Sequence, residues 1–314
     1  MGRFCFPQIR RRSPLTSTPV LRIALPNKGR LAADARALFA DAGLEVRSSG
    51  DRALTASLGG EFAAIFVRAQ DVPEFVADGA ADAGVTGWDL VAESERTLDK
   101  LLDLEFGRCR LVVAARDDSG ILSLADITAT ARGVPRVATV FPRLTRRFFS
   151  DAACPVEVVP VSGAAEVAPH LGIADIVVDL TSTGSTLKVN GLREIATVLE
   201  STAQLVAAPR TGATTARTAE QQSALDELVG ALSSVLRARG KRYLMANVPR
   251  EALERVKKVI PGLNGPTVID VLNGSNIVAV HAVVPAASIY RTIASLKGLG
   301  AEGILVTRIE RLMP

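Results

Sequence analysis

Short apolar runs alternate with stretches of helical period from residue 21 to residue 240, and that alternation predicts α/β layers. LRIALP (21–26) reads as a buried strand. The Lys28-Gly29-Arg30 turn then leads into LAADARALFADAGL, a helix closed by Gly43. EFAAIFVR is a strand, VPEFVADGAA a helix with Pro73 near its start, and DAGVTG a strand ending in a glycine turn. LDLEFGRCRLVVAAR reads as two strands, and RVATVF, VEVVPV and ADIVVDL are further Val- and Ile-rich runs, each followed by a turn and a helical segment. Strands that alternate with helices in this way predict a mostly parallel sheet.

Near residue 240 the order changes. RYLMANVP is a strand, REALERVKKVI a helix, and Pro261-Gly262 stops it. GPTVIDVL and NIVAVHAVV are strands joined by Asn273-Gly274-Ser275, a hairpin signal. PAASIYRTIASLKGLG is a helix and AEGILVTRIERL the last strand, which makes a βαββαβ unit of ferredoxin-like type. A Thr/Ala-rich turn and the amphipathic helix ALDELVGALSSVLRARG precede it, so Gly240 marks the domain boundary.

The formal charge is 37 − 33 = +4, and Arg3, Arg10, Arg11 and Arg12 supply all of it. From Leu21 onward acids and bases balance, which argues against a nucleic-acid-binding body. Cys5, Cys109 and Cys154 have no CxxC spacing, and with two histidines no His/Cys metal cluster is expected. Cysteine usage fits a reducing compartment, so a cytoplasmic location is expected. The longest uncharged window, Val271 to Tyr290, is broken by Asn273, Gly274, Asn276 and Pro285, so no membrane span is expected. Residues 1–20 are Arg-, Ser- and Thr-rich without acids, and read as a transit peptide or a disordered extension.

The most informative stretch is IVVDLTSTGSTLKVNGL (176–192). A Val-rich strand ends in Asp179, and Thr181, Ser182, Thr183, Gly184, Ser185 and Thr186 follow as a hydroxyl- and glycine-rich turn before a helix. Such a turn aims backbone N–H groups and hydroxyls at one point, which suits a phosphate monoester, and Asp179 is placed to accept from ribose hydroxyls. A helix cap alone would also account for the turn. Lys28 and Arg30 flank Gly29 at the carboxyl end of the first strand, where open α/β sheets bind ligands and where two cations suit a polyphosphate. Arg68 and Asp71, and then Thr86, Gly87 and Asp89, occupy further strand ends that would line the same cleft. Trp88 is either a base-stacking platform or a partly buried aromatic. Ser162 and Glu166, at the head of a helical stretch, have a spacing like that of a capping box. Cys109, between two arginines, is either a lowered-pKa thiol or a buried small residue, and His170 and His281 read as structural. GxSxG and Walker motifs are missing, so the chemistry needs phosphate positioning and electrostatics rather than a protein nucleophile.

Together LRIALPNKGRL, RAQDVPEFVADGAADAGVTGWDL, LDLEFGRCRLVVA, SGAAEVAPHLGIADIVVDLTSTGSTLKVNGLREI and LKGLGAEGILVTRIERL resemble the long-form ATP phosphoribosyltransferases of histidine biosynthesis, from about Leu21 to Met313. The resemblance implies two catalytic lobes like those of periplasmic binding proteins, divided as 21–113 plus 196–239 and 114–195, with a regulatory unit at 240–314. It implies attack of the ATP adenine N1 on 5-phosphoribosyl 1-diphosphate, with pyrophosphate leaving in the presence of Mg²⁺. By position, Asp179, Thr183, Gly184, Ser185 and Thr186 would hold the phosphoribosyl group. Lys28, Gly29, Arg30, Arg68, Asp89 and Glu166 would line the ATP and pyrophosphate region, with Lys28, Arg30 and Asp179 catalytic. L-histidine would inhibit from a site including Asn247 and Thr267, in a hexamer. PTVIDVLNG departs from the commoner PTVSPL of the family. Two alternatives remain: a two-lobe solute-binding protein, for which an export signal would be needed, and a non-catalytic regulatory subunit, for which the phosphate turn would be lost.

Overall fold

A computed structural model describes residues 21–47, 53–59, 61–129, 133–209, 217–272 and 276–313. The basic stretch 1–20, the start of the Thr/Ala-rich turn (211–216) and the Asn273-Gly274-Ser275 hairpin signal lie outside the described residues.

The chain begins with β1 (Leu21–Pro26), α1 (Ala32–Asp41), β2 (Thr55–Ser57), β3 (Phe62–Val67), α2 (Val72–Ala77), β4 (Ala83–Gly87), α3 (Trp88–Ser94) and β5 (Asp99–Asp103). It continues through β6 (Cys109–Arg116), α4 (Leu124–Ala129), β7 (Arg136–Thr139), α5 (Pro142–Asp151), β8 (Glu157–Pro160), β9 (Ile176–Thr181), α6 (Ser185–Val189) and β10 (Leu192–Ser201). Then follow β11 (Ala203–Ala207), α7 (Ala219–Ala238), β12 (Lys241–Pro249), α8 (Leu253–Val259), β13 (Thr267–Asp270), β14 (Ile277–Pro285), α9 (Ile289–Gly298) and β15 (Glu302–Arg308).

The described strands form three sheets, ordered β2-β3-β1-β4-β11-β5, β10-β6-β9-β7-β8 and β13-β14-β12-β15. The first two are the expected catalytic lobes, and the chain passes between them twice. β6 and β10 both belong to the second sheet and pair antiparallel along their length. The changes of sheet therefore fall between Asp103 and Cys109 and at Thr202, outside the segment bounded by Ala114 and Ala196.

The expectation of mostly parallel sheets is corrected to mixed ones. In the first lobe β1 pairs parallel with β3 and β4, whereas β11 pairs antiparallel with β4 and β5. In the second, β7 pairs parallel with β8 and β9, whereas β6 pairs antiparallel with β9 and β10. Apart from the short β2–β3 hairpin at the outer edge of the first sheet, the antiparallel members are those next to a crossing, where a strand enters its sheet from the other lobe rather than over a helix. β2, β10 and β11 were not anticipated as strands.

Each sheet buries its own core. In the first lobe α1 and α7 cover one face through Leu38, Phe39, Leu225, Leu228 and Leu232, and α2 and α3 cover the other through Val72, Val76 and Val91. Thr218 caps α7 with a reciprocal capping box to Gln221. The second lobe packs Phe141, Leu144 and Phe149 of the α5 region against Leu111, Val113, Ile176 and Val178. The third sheet is antiparallel with α8 and α9 on one face, as the βαββαβ reading requires, and its core holds Val256, Val280 and Leu296. After β15 the chain returns to the first lobe, where the Leu312 N–H donates to the Ser234 carbonyl at 2.9 Å. No described helix is long and apolar enough to cross a membrane.

Gly84, in the buried centre of β4, shows how tightly α2 is seated. A Cβ there would collide with Val72 Cγ1 and lie 3.0 Å from Val76 Cγ2. Gly84→Ala is therefore expected to destabilise the chain by about 1–3 kcal/mol through overpacking, read as a lower urea midpoint at unchanged slope. An unchanged midpoint would contradict this packing.

Candidate active site

Because β3, β1 and β4 are adjacent and parallel, their carboxyl ends share one edge of the first sheet. That edge carries Arg68 after β3, Lys28-Gly29-Arg30 after β1, and Trp88 and Asp89 after β4. Gly29 takes φ +87°, a left-handed conformation that glycine adopts without strain, and so turns Lys28 outward and Arg30 back.

Arg30 ties this edge to both crossing segments. Its Nη1 donates to the Gly107 carbonyl at 2.9 Å and its Nη2 lies 3.0 Å from Cys109 Sγ, both at the outgoing crossing. The same Nη2 is 3.9 Å from Asp89 Oδ2. Asp89 is 1% exposed. Its Oδ1 accepts from the Ser201 hydroxyl at 2.5 Å, and Ser201 Oγ accepts from the Asp89 N–H at 3.0 Å, at the returning crossing. Asp89 Oδ2 has no hydrogen-bond partner among the described residues, so Arg30 is its compensating charge. Burial pushes the Cys109 thiol up, and the Asp89 charge adds to that, so Cys109 is a buried thiol and not an activated one.

In the second lobe β9 delivers Asp179 and Thr181 to the turn. Gly184 caps α6 in the left-handed conformation, with φ +76°. The Thr181 hydroxyl accepts from the Gly184 N–H at 2.8 Å, and the Thr183 and Ser185 hydroxyls lie 2.8 Å apart. Behind the turn, Glu194 of β10 is held by Arg110 of β6, with Nη1–Oε2 at 2.9 Å and Nη2–Oε1 at 3.1 Å. A Cβ on Gly184 would stand 3.0 Å from Glu194 Oε1, so the turn rests on this pair. Burial raises the Asp179 carboxyl above the ordinary carboxylate range. The Leu180 N–H at 2.7 Å opposes that rise, and the negative charge of Glu166 adds to it.

A cavity of about 420 Å³ at the crossings brings the two lobes together. Ser182 of the turn and Arg110 meet Trp88, Lys100, Arg108 and Ser201 there. One face of Trp88 is occupied by Lys100, whose Nζ stands 3.6 Å over the ring, so that face is closed to a base. Lys28 and Arg68 share the sheet edge but do not line this cavity. Sequence reading missed Lys100, Arg108, Arg110, Glu194 and Ser201 as parts of the site. The cations around Cys109 in GRCR were the one visible trace of them.

Ser162 and Glu166 form no capping box, since the short 3₁₀ turn Ala165–Val167 starts at Ala164 without a side-chain cap. His170 sits in a turn, its Nε2 2.7 Å from the Asn190 carbonyl, and His281 Nδ1 lies 2.8 Å from the Tyr243 hydroxyl. Asn247 and Thr267 share the helix-free face of the third sheet. Thr267 is opposite His281, His281 is opposite Met245, and Asn247 follows two residues on. No three His, Cys, Asp or Glu side chains converge on a metal site among the described residues.

Residues 68–234 match the family described as ATP phosphoribosyltransferase (HisG), and residues 238–311 match the HisG C-terminal domain. The ATP phosphoribosyltransferase of Gemmatimonas aurantiaca is 70% identical over 94% of this chain and 100% of its own. That of Natronomonas pharaonis is 46% identical over the same shares. Among solved structures, the ATP phosphoribosyl transferase (HisG:HisZ) complex from Thermotoga maritima aligns with 28% identity and a TM-score of 0.57, over 68% of this chain and 98% of that one.

The raised Asp179 carboxyl has a consequence for stability. A native carboxyl above its unfolded value, about 3.9, stabilises the fold fully below that value and loses the contribution as pH rises through the native one. Asp179→Asn removes the buried charge. Its urea midpoint is expected to rise relative to the unsubstituted chain between about pH 4 and pH 7, and to converge with it in acid. A deficit that grows toward neutral pH would contradict the assignment.

Proposed function

The chain belongs to the ATP phosphoribosyltransferase family, the pentosyltransferases of the first step of histidine biosynthesis, and from that premise we propose how its residues divide the work. The reaction joins N1 of the ATP adenine to C1 of 5-phosphoribosyl 1-diphosphate and releases pyrophosphate. The Thr183–Thr186 turn takes the 5-phosphate on its backbone N–H groups and hydroxyls, and Asp179 accepts from the ribose hydroxyls. The observation that carries this reading is the meeting of the turn, through Ser182, with Trp88 and Lys100 of the other lobe in one cavity. Two substrates held from opposite lobes would face each other there, and alignment is the main thing such a displacement needs.

Lys28, Arg30 and Arg68 line the nucleotide and pyrophosphate side, with the buried Asp89 holding Arg30 from behind. Arg30 acts from a fixed position, because Gly107, Cys109 and Asp89 orient its guanidinium. As pyrophosphate departs, positive charge grows at the anomeric carbon and negative charge on the leaving group, and pre-positioned cations stabilise the latter. Enzymes of this family need a metal ion, and Mg²⁺ would supply charge neutralisation at the departing diphosphate. With no three-ligand cluster among the described residues, the ion would be held chiefly by substrate phosphates, with the Asp179 and Glu166 carboxylates as the protein's contribution.

The third unit would bind L-histidine on the face shared by Asn247 and Thr267, in a hexamer of cytoplasmic enzyme. Its return to α7 through Leu312 gives such binding a direct route to the first lobe.

Two measurements test these assignments. Gly184→Val places a β-branched side chain at a left-handed position against Glu194. In steady-state assays with ATP, 5-phosphoribosyl 1-diphosphate, Mg²⁺ and a pyrophosphatase, kcat/KM for the phosphoribosyl substrate is expected to fall at least about 100-fold. A folded variant with unchanged kinetics would overturn the phosphate assignment. Thr267→Ala and Asn247→Ala are expected to raise the histidine concentration for half-inhibition about tenfold at unchanged kcat, for the loss of one good hydrogen bond each. Inhibition that is unaltered, or that is absent from the unsubstituted enzyme, would remove histidine from this face.

A further inference from the structure

We propose that the cavity at the lobe crossings is a polyphosphate subsite in which Lys100 and Arg108 are the cations left free to bind. The proposal rests on the reading of the Asp179–Thr186 turn as the phosphoribosyl site, whose Ser182 forms part of the wall.

The argument is one of which charges are already spent. Arg110 is gripped by both oxygens of Glu194. Arg30 is not in the lining of this cavity, its guanidinium being held outside it by Gly107 and Cys109 and facing Asp89. Of the cavity's acids, Asp103 accepts from the Glu105 N–H at 2.9 Å and the Thr202 hydroxyl at 2.8 Å, which closes the turn after β5. Burial pushes the Asp103 carboxyl up, but these donors, the Gln204 amide and the Arg108 charge together hold it below its usual range. Glu200 stands directly opposite Arg110 in the β6–β10 ladder.

Lys100 and Arg108 differ from the other two cations. Neither has a carboxylate within ion-pair distance among the described residues. Lys100 is instead fixed by the Trp88 ring, with Nζ at 3.6 Å. An aromatic face orients an ammonium without neutralising it and leaves its N–H donors available at the sides. The site thus holds a pre-positioned point charge, a guanidinium fork and the Ser182 hydroxyl around one opening of about 420 Å³. A chain of two or three phosphates, with several oxygens and distributed charge, matches that spread of donors. A single carboxylate does not. The triphosphate of ATP and the diphosphate of the phosphoribosyl substrate share this chemistry.

The test uses the full chain and two exposed-residue variants, Lys100→Ala and Arg108→Ala, with their double variant. Calorimetric titration with inorganic pyrophosphate should show Kd rising roughly tenfold or more for each, as expected for loss of a charged hydrogen bond. Steady-state KM values separate the sources. A rise for ATP alone places the nucleotide triphosphate in the cavity, a rise for 5-phosphoribosyl 1-diphosphate alone places the leaving diphosphate there, and a rise for both means the two chains share it. A folded double variant with unchanged pyrophosphate Kd would overturn the proposal. Gly184→Val, run in parallel, separates the two ideas. If it loses the phosphoribosyl substrate while the cation variants are silent, the subsite falls and the phosphate turn stands. If it keeps wild-type kinetics, the turn assignment on which the subsite rests falls.

Discussion

Everything in the catalytic region depends on the cluster that Arg30, Asp89 and Ser201 make where the chain passes between its lobes. A buried carboxylate with one oxygen lacking a donor is costly, and Asp89 is tolerated because Ser201 satisfies one oxygen and the Arg30 charge faces the other. These partners come from different places: the turn after β1, the start of α3 and the end of β10. Through Gly107 and Cys109, Arg30 also holds the start of β6. One side chain of this strand-end edge is therefore fastened to both segments that join the lobes. Loss of Arg30 or Ser201 leaves the buried Asp89 carboxylate short of a partner, which is the costly case.

The same two strands support the other half of the site. Arg110 of β6 and Glu194 of β10 form the pair on which Gly184 and its turn rest. The second-lobe turn and the strand-end edge of the first lobe are thus tied to one antiparallel ladder, with the Arg30 cluster at one end and Arg110 next to it. This explains why the sheets are mixed. Strands that carry the chain between lobes must enter beside strands that do not, and the antiparallel pairings are the result. It also places the Arg110 charge on β6, a strand otherwise made largely of buried positions.

Much of this was legible in the sequence because it is local. Strand-end turns announce themselves through glycine and hydroxyl residues, and DLTSTGST and PNKGR were read correctly as turns, with Gly29 and Gly184 at the left-handed positions. The βαββαβ order of the last unit follows from hydrophobic period alone. What escaped is non-local. LREIATVLES carries charges along a strand and is separated from the next strand by Thr202 alone, so no turn signal divides β10 from β11. The partners of Arg30, Arg110 and Asp89 lie 79, 84 and 112 residues away, at separations that no periodicity encodes. Ser162 and Glu166 show the reverse error: a near match, one residue longer than a capping box, made no cap, because the segment between them turns through Ala164 and not into a helix.

The central claim is that the phosphoribosyl group is held by the second-lobe turn and meets the nucleotide across the cavity. The most direct test is an experimental structure with 5-phosphoribosyl 1-diphosphate and Mg²⁺ bound. The account predicts the 5-phosphate within hydrogen-bond distance of the Thr183–Thr186 backbone N–H groups and hydroxyls, with a ribose hydroxyl on Asp179. A 5-phosphate seated instead on the Lys28-Gly29-Arg30 turn, with the Thr183–Thr186 turn making no contact to ligand, would contradict it.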